Sequence, residues 1–203
     1  MPPKNSASML TPSEEYLVWI DCEMTGLNLQ TDQIIEIACL ITTKDLKVLD
    51  KGVRYVVHVN QTVLDSMGPW CKKQHYQSGL WDQCLKSSLS LNEIDRQLRK
   101  YIEQHMPNLK GRAVLAGNSV YTDKMFINKD LPSVAEYFHY RLVDVSSIKE
   151  LAKRWKPELI ELAKPSSRPS KHRAFDDILD SISELCTYRQ HFFVCPEKQA
   201  KDI

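Results

Sequence analysis

The chain has 203 residues, 42% hydrophobic and 26% charged, with 27 lysines and arginines against 26 aspartates and glutamates for a net charge of +1. That length suits one domain with a substantial core, and the composition is that of a soluble globular protein. A near-zero charge argues against a broad basic face for gripping long nucleic acids, and no apolar run approaches a membrane span.

The opening MPPKNSASMLTPSEE is polar, Pro/Ser-rich and lacks Arg. It reads as a disordered tail over 1–14 rather than an Arg-rich transit peptide. Tyr16 to Met24 reads as a strand, broken by Gly26 and Asn28. Ile34 to Thr42 is a second strand, and the turn Thr43-Lys44-Asp45 leads to a third, Val48 to Val59, giving an antiparallel meander. Thr62 to Lys86 reads as short helices. Ser90-Leu91-Asn92-Glu93 has the form of a capping box opening a helix through about His105. Ala113 to Asn118 is a short strand, with a helical stretch from about Asp123. Arg141 to Val145 is another strand, followed by a helix from Ser146 to Trp155. Lys156 to Lys171 reads as a loop, Ala174 to His191 as the last helix, and 194–203 as a second tail, leaving 15–193 as one domain. Strands followed by helices alternating with single strands define an α/β fold with a mixed sheet.

Six cysteines, Cys22, Cys39, Cys71, Cys84, Cys186 and Cys195, lack CxxC spacing. A reducing compartment fits them better than a disulfide framework or a zinc site.

WIDCEMTGL carries the chemistry. Residues two apart on a strand share a face, so Asp21 and Glu23 project side by side while Ile20, Cys22 and Met24 take the other side. Adjacent carboxylates repel unless a cation lies between them, and oxygen ligands without Cys or His favour Mg²⁺ or Mn²⁺. A solvent-facing edge strand would leave the same pair without significance. Asp123 sits near a helix start, where it suits either a metal-facing carboxylate or a cap. In SKHRAFDDILDSI, His172 and Asp177 are five apart and do not share a helical face, so His172 belongs to the loop before the helix. Asp176 and Asp177 flank the Ala174–Ile178–Ile182–Leu185 stripe about equally, and periodicity does not choose between them.

Asp21-x-Glu23, NSVYTD ending at Asp123, and His172-x4-Asp177 together resemble the three motifs of the DEDDh 3′→5′ exonucleases. EMTGL, DSMGPWC, LAGNSV, HYRLVDVSSIKELAKRW and SKHRAFDDI extend the resemblance to the oligoribonuclease family from about Tyr16 to Gln190. Cys22 where Leu is frequent, Gly68-Pro69 before Trp70, and Tyr121 in the second motif depart from the family pattern without removing an acid.

The resemblance implies a ribonuclease H-like mixed five-stranded sheet flanked by helices. It implies that Asp21, Glu23, Asp123 and Asp177 hold two divalent ions, Mg²⁺ or Mn²⁺, and that His172 is the general base. Leu27 would wedge between bases, with Trp70 and His75 lining the base pocket; both Leu27 and Trp70 could instead be core residues. In a homodimer, Tyr140 would approach the neighbouring site. Ser119, Arg141, Ser146 and Ser147 would cap the far phosphate, or Ser146 could simply cap its helix. The implied activity is hydrolysis of single-stranded oligoribonucleotides of two to about five residues to 5′-monophosphates, in the cytoplasm, with a mitochondrial or nuclear pool left open. A relative trimming longer RNA or DNA is the alternative.

Overall fold

YLVWIDCEM, rich in β-branched and aromatic residues, forms the central strand β1 (Tyr16–Met24) in the computed structural model, which describes residues 15–164 and 173–193. It pairs antiparallel with β2 (Ile34–Thr43), which pairs antiparallel with β3 (Val53–Val56). On its other side β1 runs parallel to β4 (Ala113–Gly117), and β4 parallel to β5 (Phe138–Asp144). The order β3-β2-β1-β4-β5 is the expected mixed five-stranded sheet.

Alternation along β1 divides the core. Val18, Ile20 and Cys22 join one apolar cluster with α1 (Gln61–Ser66), α2 (Pro69–Gln77), α3 (Leu80–Lys86), α4 (Leu91–His105), α5 (Tyr121–Asp130) and α6 (Pro132–Ala135). Trp19, with Ala38 and Leu40 of β2, faces α7 (Val145–Trp155), α8 (Glu158–Leu162) and α9 (Ala174–His191). Helices therefore cover both faces of the sheet. Asp21 and Glu23 continue the Trp19 face towards the carboxyl end of β1, beneath α9.

The capping box is present: Ser90 Oγ accepts from Glu93 N at 3.3 Å, and Glu93 Oε2 accepts from Ser90 N at 2.8 Å. It fixes the start of α4, whose Ile94, Leu98 and Ile102 stripe is fully buried.

Several boundaries differ from the sequence reading. β3 begins at Val53 rather than Val48, which makes only an isolated bridge to Thr42. The turn at Gly52 intervenes, with φ of +67° and no room for a Cβ, which would lie 2.7 Å from Cys39 O. β5 begins at Phe138, so His139, Tyr140 and Arg141 lie within the strand. The cap of α7 is Asp144, whose carboxylate accepts from Ser146 N at 2.9 Å; Ser146 is not the cap. The stretch expected as loop from Lys156 contains α8. Its remainder from 165, the two tails and Cys195 lie outside the described residues.

Candidate active site

In open α/β sheets, ligand sites form beyond the carboxyl ends of the parallel strands, and here those ends bring the predicted acids together. Asp21 and Glu23 leave β1 on one face. From α9, Asp177 meets them, and one carboxylate oxygen from each of the three lies within 4.8 Å of the others. Asp176 is exposed, so the structure selects Asp177. Asp123, in the first turn of α5, is buried against the same strand, and its Oδ1 accepts the Cys22 amide hydrogen at 2.9 Å.

Burial and mutual repulsion disfavour charging this group. Asp21 is pushed well above the usual carboxylate range, first by burial and then by Asp123, Asp177, Glu23 and Glu36. Burial, then the charges of Glu36, Asp177 and Asp123, push Glu23 up to about 8. Burial pushes Asp123 up to about 7, against the hydrogen bond from the Cys22 amide. Such a group holds protons until a cation displaces them. Its all-oxygen donor set fits hard divalent ions.

Beside Glu23 lies a cavity of about 340 Å³ lined by Cys22, Glu23, Met24, Gly26, Leu27, Trp70, Cys71 and His75. Leu27 is 76% exposed and Trp70 65%, so neither is a core residue. His75 is buried; its Nε2 lies 2.9 Å from Met24 O and its Nδ1 4.0 Å from Glu23 Oε2. The Leu27 loop is tied by Asp32, which accepts from Thr25 Oγ1 and Asn28 N, both at 2.9 Å. A Cβ at Gly26 would stand 2.5 Å from Asp32 Oδ2, so a larger residue there would displace the carboxylate that ties the loop.

Of the remaining predicted residues, Ser119 and Ser146 meet at Asp144, which the sequence reading missed. Its Oδ1 accepts from Ser119 N at 2.9 Å, Ser146 N at 2.9 Å and Ser146 Oγ at 2.7 Å. Ser147 is exposed. Tyr140, 72% exposed, and Arg141 stand on the edge strand β5, the Arg141 guanidinium 5.2 Å from the Tyr140 ring centre. His172 lies outside the described residues.

Glu36 was also missed. It is fully buried on β2 directly opposite Glu23, and Arg54 and Arg173 bind its carboxylate. An acid inside IIEIACLIT carries the same signal as the acids inside WIDCEM, a charge in an apolar strand.

A mixed five-stranded sheet with three converging acids defines a nuclease-like site, and the chain belongs to the exonuclease family, matching it over residues 18–185. Within that family it groups with the oligoribonucleases. It is 48% identical over 177 residues to the probable oligoribonuclease of Drosophila melanogaster, covering 87% of this chain and 82% of that one. It is 48% identical over 184 residues to the oligoribonuclease of Rhodococcus jostii, covering 89% of each. It is 44% identical over 179 residues to the mitochondrial oligoribonuclease of Homo sapiens, covering 88% of this chain and 74% of that one. Among solved structures, an exonuclease I superposes with a TM-score of 0.65 at 12% identity, covering 87% of this chain. The zinc-bound E. coli exonuclease I–ssDNA complex gives the same TM-score and identity over 87% of this chain. The chain spans about two fifths of those exonuclease I chains, at 41% and 40%. No described helix is long and apolar enough to cross a membrane.

Proposed function

We propose that this protein is a metal-dependent 3′→5′ exoribonuclease that hydrolyses oligoribonucleotides of two to about five residues to nucleoside 5′-monophosphates. The observation that carries the reading is the convergence of Asp21, Glu23 and Asp177 within 4.8 Å, with Asp123 behind them, beside the cavity lined by Leu27 and Trp70.

Asp21, Glu23, Asp123 and Asp177 would hold two divalent ions, Mg²⁺ or Mn²⁺. When bound there, such ions would supply Lewis acidity to activate a water and to stabilise the leaving oxygen. Release of the protons on Glu23 and Asp123 prepares the acids for that role. His172, one peptide bond before Arg173, accepts the proton of the attacking water. Leu27 inserts between the terminal bases, and Trp70 stacks on one of them, with His75 forming the pocket wall. Stacking of this kind contributes about 1–3 kcal/mol per base without reading sequence.

The exposed edge of β5 supports a homodimer in which Tyr140 of the partner subunit closes the site. Arg141 and Ser147, with the Ser119 and Ser146 corner organised by Asp144, would cap the substrate's distal phosphate and stop longer chains. The five described cysteines are free thiols, which suits a reducing compartment, and we place the protein in the cytoplasm.

A length series tests the substrate class. Labelled oligoribonucleotides of two, five and twenty residues should show a kcat/KM that falls with length and a weak salt dependence. Equal rates on the dimer and the twenty-mer would instead make this an exonuclease of long chains.

A further inference from the structure

We propose that Arg173 is a positioning residue for the acid site: its guanidinium fork, seated on Glu36, fixes the first turn of α9 so that Asp177 closes on Asp21 and Glu23. The inference rests on the functional reading above.

The linkage can be followed bond by bond. Glu23 on β1 pairs in register with Glu36 on β2. Glu36 Oε1 accepts from Arg173 Nη2 at 3.0 Å, and Oε2 from Arg173 Nε at 3.3 Å. Arg173 Nη1 donates to Ser78 O at 3.0 Å, and Nη2 also to Gln83 Oε1 at 2.9 Å. The fork therefore binds β2, the end of α2 and α3 at once. Arg54 Nε donates to Glu36 Oε1, and Arg54 Nη2 to Gln83 Oε1 at 2.6 Å, so the receiving groups are themselves held.

On its backbone side, Arg173 is the N-cap residue of α9, a helix whose start has no side-chain capping bond. Its carbonyl accepts the Asp177 amide hydrogen at 3.1 Å. One residue thus joins the strand partner of Glu23 to the backbone of Asp177, and those two carboxylates meet in the acid cluster. A helix start without a side-chain cap frays easily. Here a bidentate ion pair to the buried Glu36 anchors the N-cap residue instead, and the fixed geometry of that fork selects one register for the helix. Both oxygens of Glu36 are engaged by arginine, which keeps this fifth acid out of the metal-binding set.

The test uses the whole protein in three forms: wild type, Arg173→Ala and Arg173→Lys. Mn²⁺ binding is titrated by calorimetry without substrate, amide hydrogen exchange is followed over residues 174–178, and dinucleotide kinetics are run across a Mn²⁺ series. Supporting groups around a metal are worth about 10–100-fold in affinity, and Arg173→Ala is expected to weaken Mn²⁺ binding by that factor. Its first turn of α9 should exchange faster, and its kcat should recover as Mn²⁺ is raised. Arg173→Lys keeps a cation for Glu36 but cannot reach Ser78 and Gln83 together. It should fold even if the alanine variant does not, with Mn²⁺ affinity lowered less than in the alanine variant, by about 3–10-fold. Mn²⁺ affinity within twofold of wild type in either folded variant, with only the melting temperature lowered, would overturn the proposal. A wild type that binds Mn²⁺ but does not cleave a dinucleotide would refute the nuclease reading and leave the positioning role standing on the binding data. A wild type that takes up no Mn²⁺ overturns both.

Discussion

Glu23→Gln removes a charge from the acid site while keeping its shape, and should stabilise the metal-free protein at alkaline pH. Glu23 faces Asp21, Asp123, Asp177 and Glu36, with His75 Nδ1 4.0 Å away. Its carboxyl is raised from 4.5 to about 8 in the fold. Because the folded value lies above the unfolded one, its contribution to stability is full below pH 4.5 and is lost as pH rises through about 8. Asp123, raised to about 7, acts with the same sign. At about 1.4 kcal/mol per pH unit, the gap for Glu23 at pH 8 has an upper bound of about 5 kcal/mol. Part of that gap belongs jointly to its acidic neighbours, and we take about 2 kcal/mol as the gain from neutralising Glu23 alone. For a domain of this size that is roughly 4–8 °C in Tm. The assay is calorimetric melting in EDTA at pH 5 and pH 8, repeated with Mg²⁺. The variant should melt above wild type at pH 8, close to it at pH 5, and gain less from Mg²⁺. A variant that melts below wild type in EDTA at pH 8, or by the same margin at both pH values, would refute the reasoning.

Asp177→Asn should lower kcat on a dinucleotide by at least about a hundredfold, since even groups that only support a metal site are worth 10–100-fold. Asp176→Asn, on the exposed side of the same turn, should stay within about threefold in kinetic assays. Trp70→Ala should raise the dinucleotide KM roughly 5–150-fold, the equivalent of one lost base stack. Ser90→Ala, far from the chemistry, should cost about 1 kcal/mol, or 2–4 °C in a thermal melt, through loss of the capping box on α4, with catalysis unchanged.

Local patterns carried much of this fold to the surface of the sequence. The alternation in YLVWIDCEM placed both acids of β1 on one face, and the Ser90–Glu93 box marked the start of α4. The first residue of α9 was readable too, yet the choice between Asp176 and Asp177 was not. The helical stripe treats the two alike, and the phase is set by Arg173, whose partner Glu36 lies 137 positions away. Glu36 itself showed its signal, a charge in an apolar strand, but its neutralising arginines come from distant segments. The cap of α7 was misplaced because serine is a strong capping type and Asp144 ends a strand-like run; only the folded chain brings Ser119 and Ser146 together on Asp144. Exposure of Leu27 and Trp70 depends on the Asp32-tied loop and the Pro69 helix start, which periodicity does not encode.

Incubation of the purified protein with a labelled dinucleotide, with Mg²⁺ and then with excess EDTA, goes to the heart of the account. Conversion to 5′-mononucleotide that stops when the metal is chelated is the predicted result. Turnover that persists undiminished in EDTA, or none at any Mg²⁺ or Mn²⁺ concentration, would contradict it.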